Sequence, residues 1–191
     1  SAASDVYKRQ EIDKIIYDFI VRHGARPNFL HLYGFPATAC ISVNDTVIHG
    51  IPNHQQQIRP GDIVSIDTGC KIDGFNGDNA CTYGCGKLDL EAQRLLDVTK
   101  ESLHRGIAMA RGGNRIGDIA HAVQEYVEDN GFSVVRSFVG HGVGKELHED
   151  PEVPNFGNPG RGPRLVPGMC IAVEPMVCQY KYAVKTLKDG W

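Results

Sequence analysis

Asp67 and Asp78 stand in strand-like segments on either side of a turn cluster, and two carboxylates held side by side are suited to binding a cation. The segments Ile63-Val-Ser-Ile-Asp67-Thr-Gly-Cys70 and Phe75-Asn-Gly-Asp78-Asn-Ala-Cys-Thr-Tyr83 both alternate apolar and polar residues, with Lys71-Ile-Asp-Gly74 between them. A turn centred on Ile72 and Asp73 makes the two aspartates direct cross-strand partners, where like charges repel. A cation between them removes that repulsion. Taken alone, the pair also reads as a solvated sheet edge that discourages aggregation.

Three more residues are out of place as ordinary packing. His141, in Val139-Gly-His-Gly-Val-Gly144, is flanked by glycines that let the backbone turn sharply and a ligand approach closely. His148 follows seven residues later, in His148-Glu-Asp-Pro151. Glu174 lies in Met169-Cys-Ile-Ala-Val-Glu174-Pro-Met-Val177, and an ionised carboxylate in so apolar a run needs a charge partner or a metal. His49, before Gly50, is compatible with an ordinary surface histidine. Two Asp, one Glu and one His make a set of hard oxygen ligands with one imidazole. That set suits Mn, Fe, Co or Zn in a carboxylate-bridged site better than a thiolate zinc site, and a pair of such ions supports hydrolysis.

The elements that must position these residues follow from periodicity. Glu11 to His23 carries Ile12, Ile15, Ile16, Phe19 and Ile20 on one helical stripe, and longer helices are predicted over Leu88 to Arg111 and Ile116 to Asn130. A hairpin is predicted from Ala39 to Pro52, a second holds the aspartates, and Ser133 to Val139, Met169 to Val177 and Tyr182 to Leu187 read as strands. The order is α+β, with two similar halves meeting near Gly112-Gly113. Residues 1–10 read as a non-native leader, because Val6-Tyr-Lys-Arg-Gln10 resembles a translated sequencing adapter, and residues 11–191 as a single domain. The turn signal Lys188-Asp-Gly-Trp191 leads to the expectation that the chain continues.

Composition narrows the classes. The 191 residues carry a formal net charge of -3 with no basic stripe, which argues against nucleic acid as the main partner. No apolar run has membrane-spanning length and no secretory segment is present, so a cytoplasmic protein without membrane contact is expected. Six cysteines contain no C-x-x-C pair and are expected as reduced thiols; Cys81 and Cys85 lack a second half for a zinc site.

Phe35-Pro-Ala-Thr-Ala-Cys-Ile-Ser-Val-Asn44, His49-Gly-Ile-Pro52, the aspartate hairpin, Gly140-His-Gly-Val-Gly144 with His148-Glu-Asp-Pro151, and Glu174-Pro-Met176 occur in one order. Together they resemble the type I methionine aminopeptidase family, with matching spacing from Glu11 to Trp191. The resemblance implies a pita-bread fold, two pseudo-twofold-related α+β halves with antiparallel strands and outer helices, and two divalent metal ions (Co, Mn, Fe or Zn). By position it makes Asp67, Asp78, His141 and Glu174 metal ligands, with Asp78 bridging and Glu174 managing the proton of the nucleophile. It places His148 on the tetrahedral intermediate and His49 near the scissile amide, and it lines a methionine pocket with Phe35, Cys40 and Trp191. The match is looser at Leu32 and Leu147, where relatives commonly carry aromatics.

The implied reaction is removal of the N-terminal methionine from nascent proteins and peptides by a metal-bridging hydroxide, carried out by a monomer near the ribosome. The short interval from His148 to Glu174 leaves no room for the helical insertion of the type II enzymes. The family's fifth ligand, a second glutamate, and its N-terminal helix have no counterpart among these residues, so a truncated catalytic domain with impaired turnover is expected. One alternative is an Xaa-Pro aminopeptidase or prolidase, whose first histidine usually follows a proline, whereas His49 precedes Gly50. The other is an inactive pita-bread binding protein, against which four of five ligands are present.

Overall fold

A computed structural model describes residues 8–53 and 56–191. The chain forms two compact units, one running to Asp89 and including Thr186–Trp191, the other spanning Leu90–Lys185. Gly112-Gly113 therefore lies inside the second unit and is not the junction of the halves. The reason is that the helices flanking it share one core, through Val98, Val123 and Val127.

In the first unit, helix α1 (Arg9–Arg22) lays Ile12 and Ile16 on the apolar face of a four-stranded antiparallel sheet, against Ala39, Ile41 and Val64. The helix starts earlier than the hydrophobic stripe suggests. Lys8 is its N-cap, Glu11 accepts from the Lys8 amide at 3.1 Å, and Arg9 is buried, donating to the Ile41 carbonyl at 2.7 Å and bonding to Gln56. Of the leader expected over 1–10, residues 1–7 lie outside the described residues, whereas Lys8 to Gln10 are part of this helix entry.

Strand β3 (Ile63–Ile72) is the centre of the sheet. It pairs along one edge with β1 (Arg26–Pro27) and β2 (Ala39–Val43), and along the other with β4 (Phe75–Gly84). The hairpin predicted from Ala39 to Pro52 does not form, because β3 takes β2 as its partner over five residue pairs. The return segment is instead fastened at one point, with Gly50 accepting from the Ile41 amide at 2.8 Å and donating to Ser42 Oγ at 3.0 Å. A Cβ on residue 50 would stand 2.5 Å from the Ile41 carbonyl oxygen, so this approach requires glycine.

In the second unit, α2 (Leu90–Met109) and α3 (Ile116–Asp129) agree with the periodicity to within two residues at each end. Ile119 and Val153 are fully buried beside Ile116 and Leu165, and each such side chain contributes about 1.5–3 kcal/mol by leaving water. The strands here are short: β5 (Ser133–Val134), β6 (Gly140–Gly142), β7 (Glu149–Val153) and β8 (Val177–Cys178), with β5 pairing β8 and β6 pairing β7.

Three predicted strands are corrected. Met169 to Val177 runs extended beside 133–143, with Val143 donating to Cys170 at 3.1 Å, Ala172 to His141 at 2.7 Å and Val135 to Met176 at 2.8 Å. The ladder is broken where residues 136–139 bend away, and Pro175 has no N–H to offer, so a continuous strand cannot form. The same bend ends the predicted strand at Val134. Tyr182 to Leu187 has strand-like composition but mostly exposed side chains and no ladder among the described residues, so its alternation does not report a buried face.

Candidate metal centre

The hairpin that carries the aspartates turns through Asp73 and Gly74, with φ of 51° and 84°, one residue later than the sequence suggested. Asp-Gly readily takes positive φ at both central positions of a two-residue hairpin, and this fixes the register. Asp67 consequently pairs with Ala80 and Asp78 with Gly69. The aspartates are not direct partners but diagonal ones, two residues apart along the ladder and on the same face. Diagonal positions are about 7–8 Å apart at the backbone, which eases the repulsion while leaving both carboxylates in reach of shared cations.

That face is the polar one, opposite the face covered by α1. Ser65 and Thr82 share a hydroxyl hydrogen bond of 2.8 Å on it, and Cys40 is the β2 partner of Asp67. Burial pushes the Cys40 thiol pKa upward, and the negative charges of Asp67, Asp78 and Asp13 push it further the same way. Both aspartates thus bear on one buried thiol. Asp13 of α1 accepts from the Thr38 and Ala39 amides at 2.9 and 2.8 Å, fastening the start of β2; burial raises its pKa despite those two bonds.

An aromatic wall stands in the same unit. Phe35 is buried and meets the Trp191 ring edge-on at 5.0 Å, and Trp191 meets His49 edge-on at 5.8 Å. Trp191 is held by a turn in which its carbonyl accepts from the Leu187 amide at 2.8 Å. Phe35, His49 and Trp191 therefore form one run of rings.

The second unit brings His141, His148 and Glu174 together. His141 lies on β6 and His148 immediately before β7, and these strands pair through Gly140 with Val153 and Gly142 with Glu149. The flanking glycines are required by close backbone approach: a Cβ on Gly140 would be 2.2 Å from the Ala172 carbonyl oxygen, and one on Gly142 2.4 Å from that of Asp150. Glu149 accepts from the Glu146 amide at 2.9 Å and so braces the loop that presents His148. The His141 and His148 rings meet edge-on at 4.4 Å.

His141 Nδ1 donates to the Gly142 carbonyl at 2.8 Å, and Nε2 faces Glu174 Oε1 at 3.3 Å. A carbonyl only accepts, so Nδ1 carries a proton and Nε2 is the ring nitrogen turned toward the carboxylate. A proton or a cation between Nε2 and Oε1 suits both atoms, and an imidazole fixed through its other nitrogen to a carbonyl is the usual arrangement of a metal-binding histidine. The donor types of this pair, and separately those of the aspartate pair in the first unit, suit a divalent first-row ion. Among the described residues, no three His, Cys, Asp or Glu side chains already converge as a metal cluster.

Sequence reasoning missed Asp13, Glu149 and Asn155, the last a buried amide that donates to the Glu174 carbonyl at 2.6 Å. Glu149 lies inside the recognised motif His148-Glu-Asp-Pro151 but was given no role there. Asp13 and Asn155 act on residues 19 or more positions away and leave no local signal.

Residues 4–191 match the model of metallopeptidase family M24. A methionine aminopeptidase of Clostridium perfringens is 56% identical over 181 residues, covering 95% of this chain and 72% of the relative. The chain belongs to metallopeptidase family M24. Methionine aminopeptidase 1 of Bacillus subtilis is 49% identical, covering 95% of the chain and 73% of the relative. The crystal structure of methionine aminopeptidase from Thermotoga maritima superposes with a TM-score of 0.95 at 41% identity, covering 97% of this chain and 75% of that one. The M24 chain accordingly has the α+β pita-bread fold expected from its motifs. No helix among the described residues is long and apolar enough to cross a membrane.

Proposed function

We propose that this M24 chain is a metal-dependent aminopeptidase that removes the N-terminal methionine of peptides and nascent proteins. The observation that carries the methionine assignment within the family is the wall of Phe35, Trp191 and His49, an apolar aromatic surface suited to a thioether side chain.

Divalent ions, two of Co, Mn, Fe or Zn, would be held by Asp67, Asp78, His141 and Glu174. When bound, such ions polarise the amide carbonyl and acidify a water to near neutrality. The remaining work belongs to side chains. Glu174 Oε1 takes the proton of the attacking water and returns it to the leaving amide nitrogen. His148 donates a hydrogen bond to the oxyanion of the tetrahedral intermediate, and His49 orients the scissile amide. Phe35, Cys40 and Trp191 exclude water from around the methionine side chain. The enzyme acts as a monomer on chains emerging from the ribosome, and its six free thiols suit the reducing cytosol.

The test is hydrolysis of Met-Ala-Ser and of an Xaa-Pro peptide with added Mn2+, repeated with chelator and with Asp78→Asn. Cleavage of Met-Ala-Ser alone, abolished by chelator and lowered at least about 100-fold by Asp78→Asn, is expected. Preference for the Xaa-Pro peptide, or cleavage indifferent to chelator, overturns the reading.

A further inference from the structure

Glu174 occupies an awkward stretch of backbone. On one side Ala172 donates to His141, and on the other Met176 accepts from Val135, but residues 136–139 bend away between these points. Pro175 adds no donor. The ladder that would otherwise fix the main chain at 174 is interrupted where the reactive carboxylate must be held still.

Asn155 lies at this interruption. It follows β7 by two residues, its side chain is completely buried, and its Nδ2 donates to the Glu174 carbonyl oxygen at 2.6 Å. Its own Oδ1 is buried with no hydrogen-bond partner. Burying a primary amide with one end unsatisfied is costly, and an apolar residue of similar size would avoid the cost. The segment around it is firmly seated: Phe156 packs against the Val123 and Phe132 cluster, and the Gly157 amide donates to Gln124 Oε1 of α3 at 2.9 Å. Asn155 thus ties Glu174 to a rigid part of the unit.

We propose that Asn155 is a positioning residue that holds the main chain at Glu174 and fixes its carboxylate opposite His141 Nε2. This rests on the reading of Glu174 as a metal ligand. Removing the donor loosens this hold on the main chain at 174, so the carboxylate samples positions away from the imidazole, and the site loses preorganisation rather than a ligand.

The experiment compares the unsubstituted chain with Asn155→Leu, Asn155→Asp and Glu174→Ala. Leu removes the donor and keeps the site apolar; Asp keeps the volume and turns the donor into an acceptor, so one serves if the other does not fold. Mn2+ binding is read by electron paramagnetic resonance of the free ion, thermal unfolding is read without metal, and kcat and KM are measured on Met-Ala-Ser. The expected result is Mn2+ binding weakened about 10- to 100-fold, lower kcat with unchanged KM, and a metal-free melting temperature within about 3 °C of the unsubstituted chain. A merely structural role would move the melting temperature and leave the metal affinity of the folded fraction alone. Unchanged Mn2+ affinity in a folded Asn155 variant, with Glu174→Ala losing the ion, overturns the positioning role by itself. Unchanged Mn2+ affinity in Glu174→Ala overturns the metal reading, and the positioning role with it.

Discussion

Gly140→Ala tests whether the backbone approach beside His141 is as tight as its geometry indicates. An added Cβ would stand 2.2 Å from the Ala172 carbonyl oxygen, where real Cβ contacts stay beyond 3.0 Å. The two chains must therefore separate by about 0.8 Å, and a backbone carbonyl cannot swing aside as a side chain would. Overpacking of this kind costs about 1–3 kcal/mol, and loss of the 2.7 Å bond from Ala172 to the His141 carbonyl adds about 1 kcal/mol. A total of about 2–4 kcal/mol is expected. Gly112→Ala is the control in the same unit, because a Cβ there meets nothing within 4 Å, and it should be neutral or stabilising by about 0.4–1 kcal/mol. Urea unfolding gives both values, and amide hydrogen exchange should show lost protection at Ala172 in the first variant only. Equal stability of the two variants, with Ala172 still protected in Gly140→Ala, would refute the steric argument.

Two other outcomes follow from groups whose protonation the fold shifts. Asp13 has its pKa raised above 3.8 by burial, so the folded state holds this proton longer than the unfolded chain does. Its contribution to stability is fully present below 3.8 and falls as pH rises through the higher folded value. Asp13→Asn keeps an acceptor for Thr38 and Ala39 and should remove that fall; superimposable stability-against-pH curves from chemical unfolding would contradict this. The Cys40 thiol, buried and facing three carboxylates, should resist iodoacetamide at pH 8 while the exposed Cys81 and Cys170 are alkylated, as read by peptide mass spectrometry. Labelling of Cys40 at a rate comparable with theirs would show that its environment is wrongly described.

Much of the chemistry was legible in the sequence, because each chemically informative residue violates its surroundings. Glu174 is a charge in an apolar run, His141 is boxed by glycines whose need turns out to be steric, and the aspartates share a hairpin with an unmistakable Asp-Gly turn. Helices α2 and α3 were legible for a different reason: Leu95, Val98, Ile119, Val123 and Val127 keep one period over several turns. What local pattern could not supply was partner choice. Nothing in Ala39 to Val43 says that it pairs with residues 64–68 rather than with its own return segment, and nothing in Met169 to Val177 reveals the bend at 136–139 that interrupts its ladder. The aspartate register was off by one turn position because Ile72-Asp73 and Asp73-Gly74 both centre a plausible turn, and only the second satisfies positive φ at both positions.

The turn through Asp73 and Gly74 also limits how this hairpin can change. In an antiparallel ladder, opposed residues share a face, and faces alternate along each strand. Asp67 and Asp78 lie on one face because the residue numbers of every β3–β4 pair, such as 67 with 80 and 69 with 78, differ by an odd amount. A one-residue slip of β4 along β3 would send Asp78 to the α1 side, whereas a slip of two would preserve the facing. Register here is thus subject to a parity rule: turn length and turn residues are free to vary so long as β4 keeps its offset along β3 or shifts it in even steps.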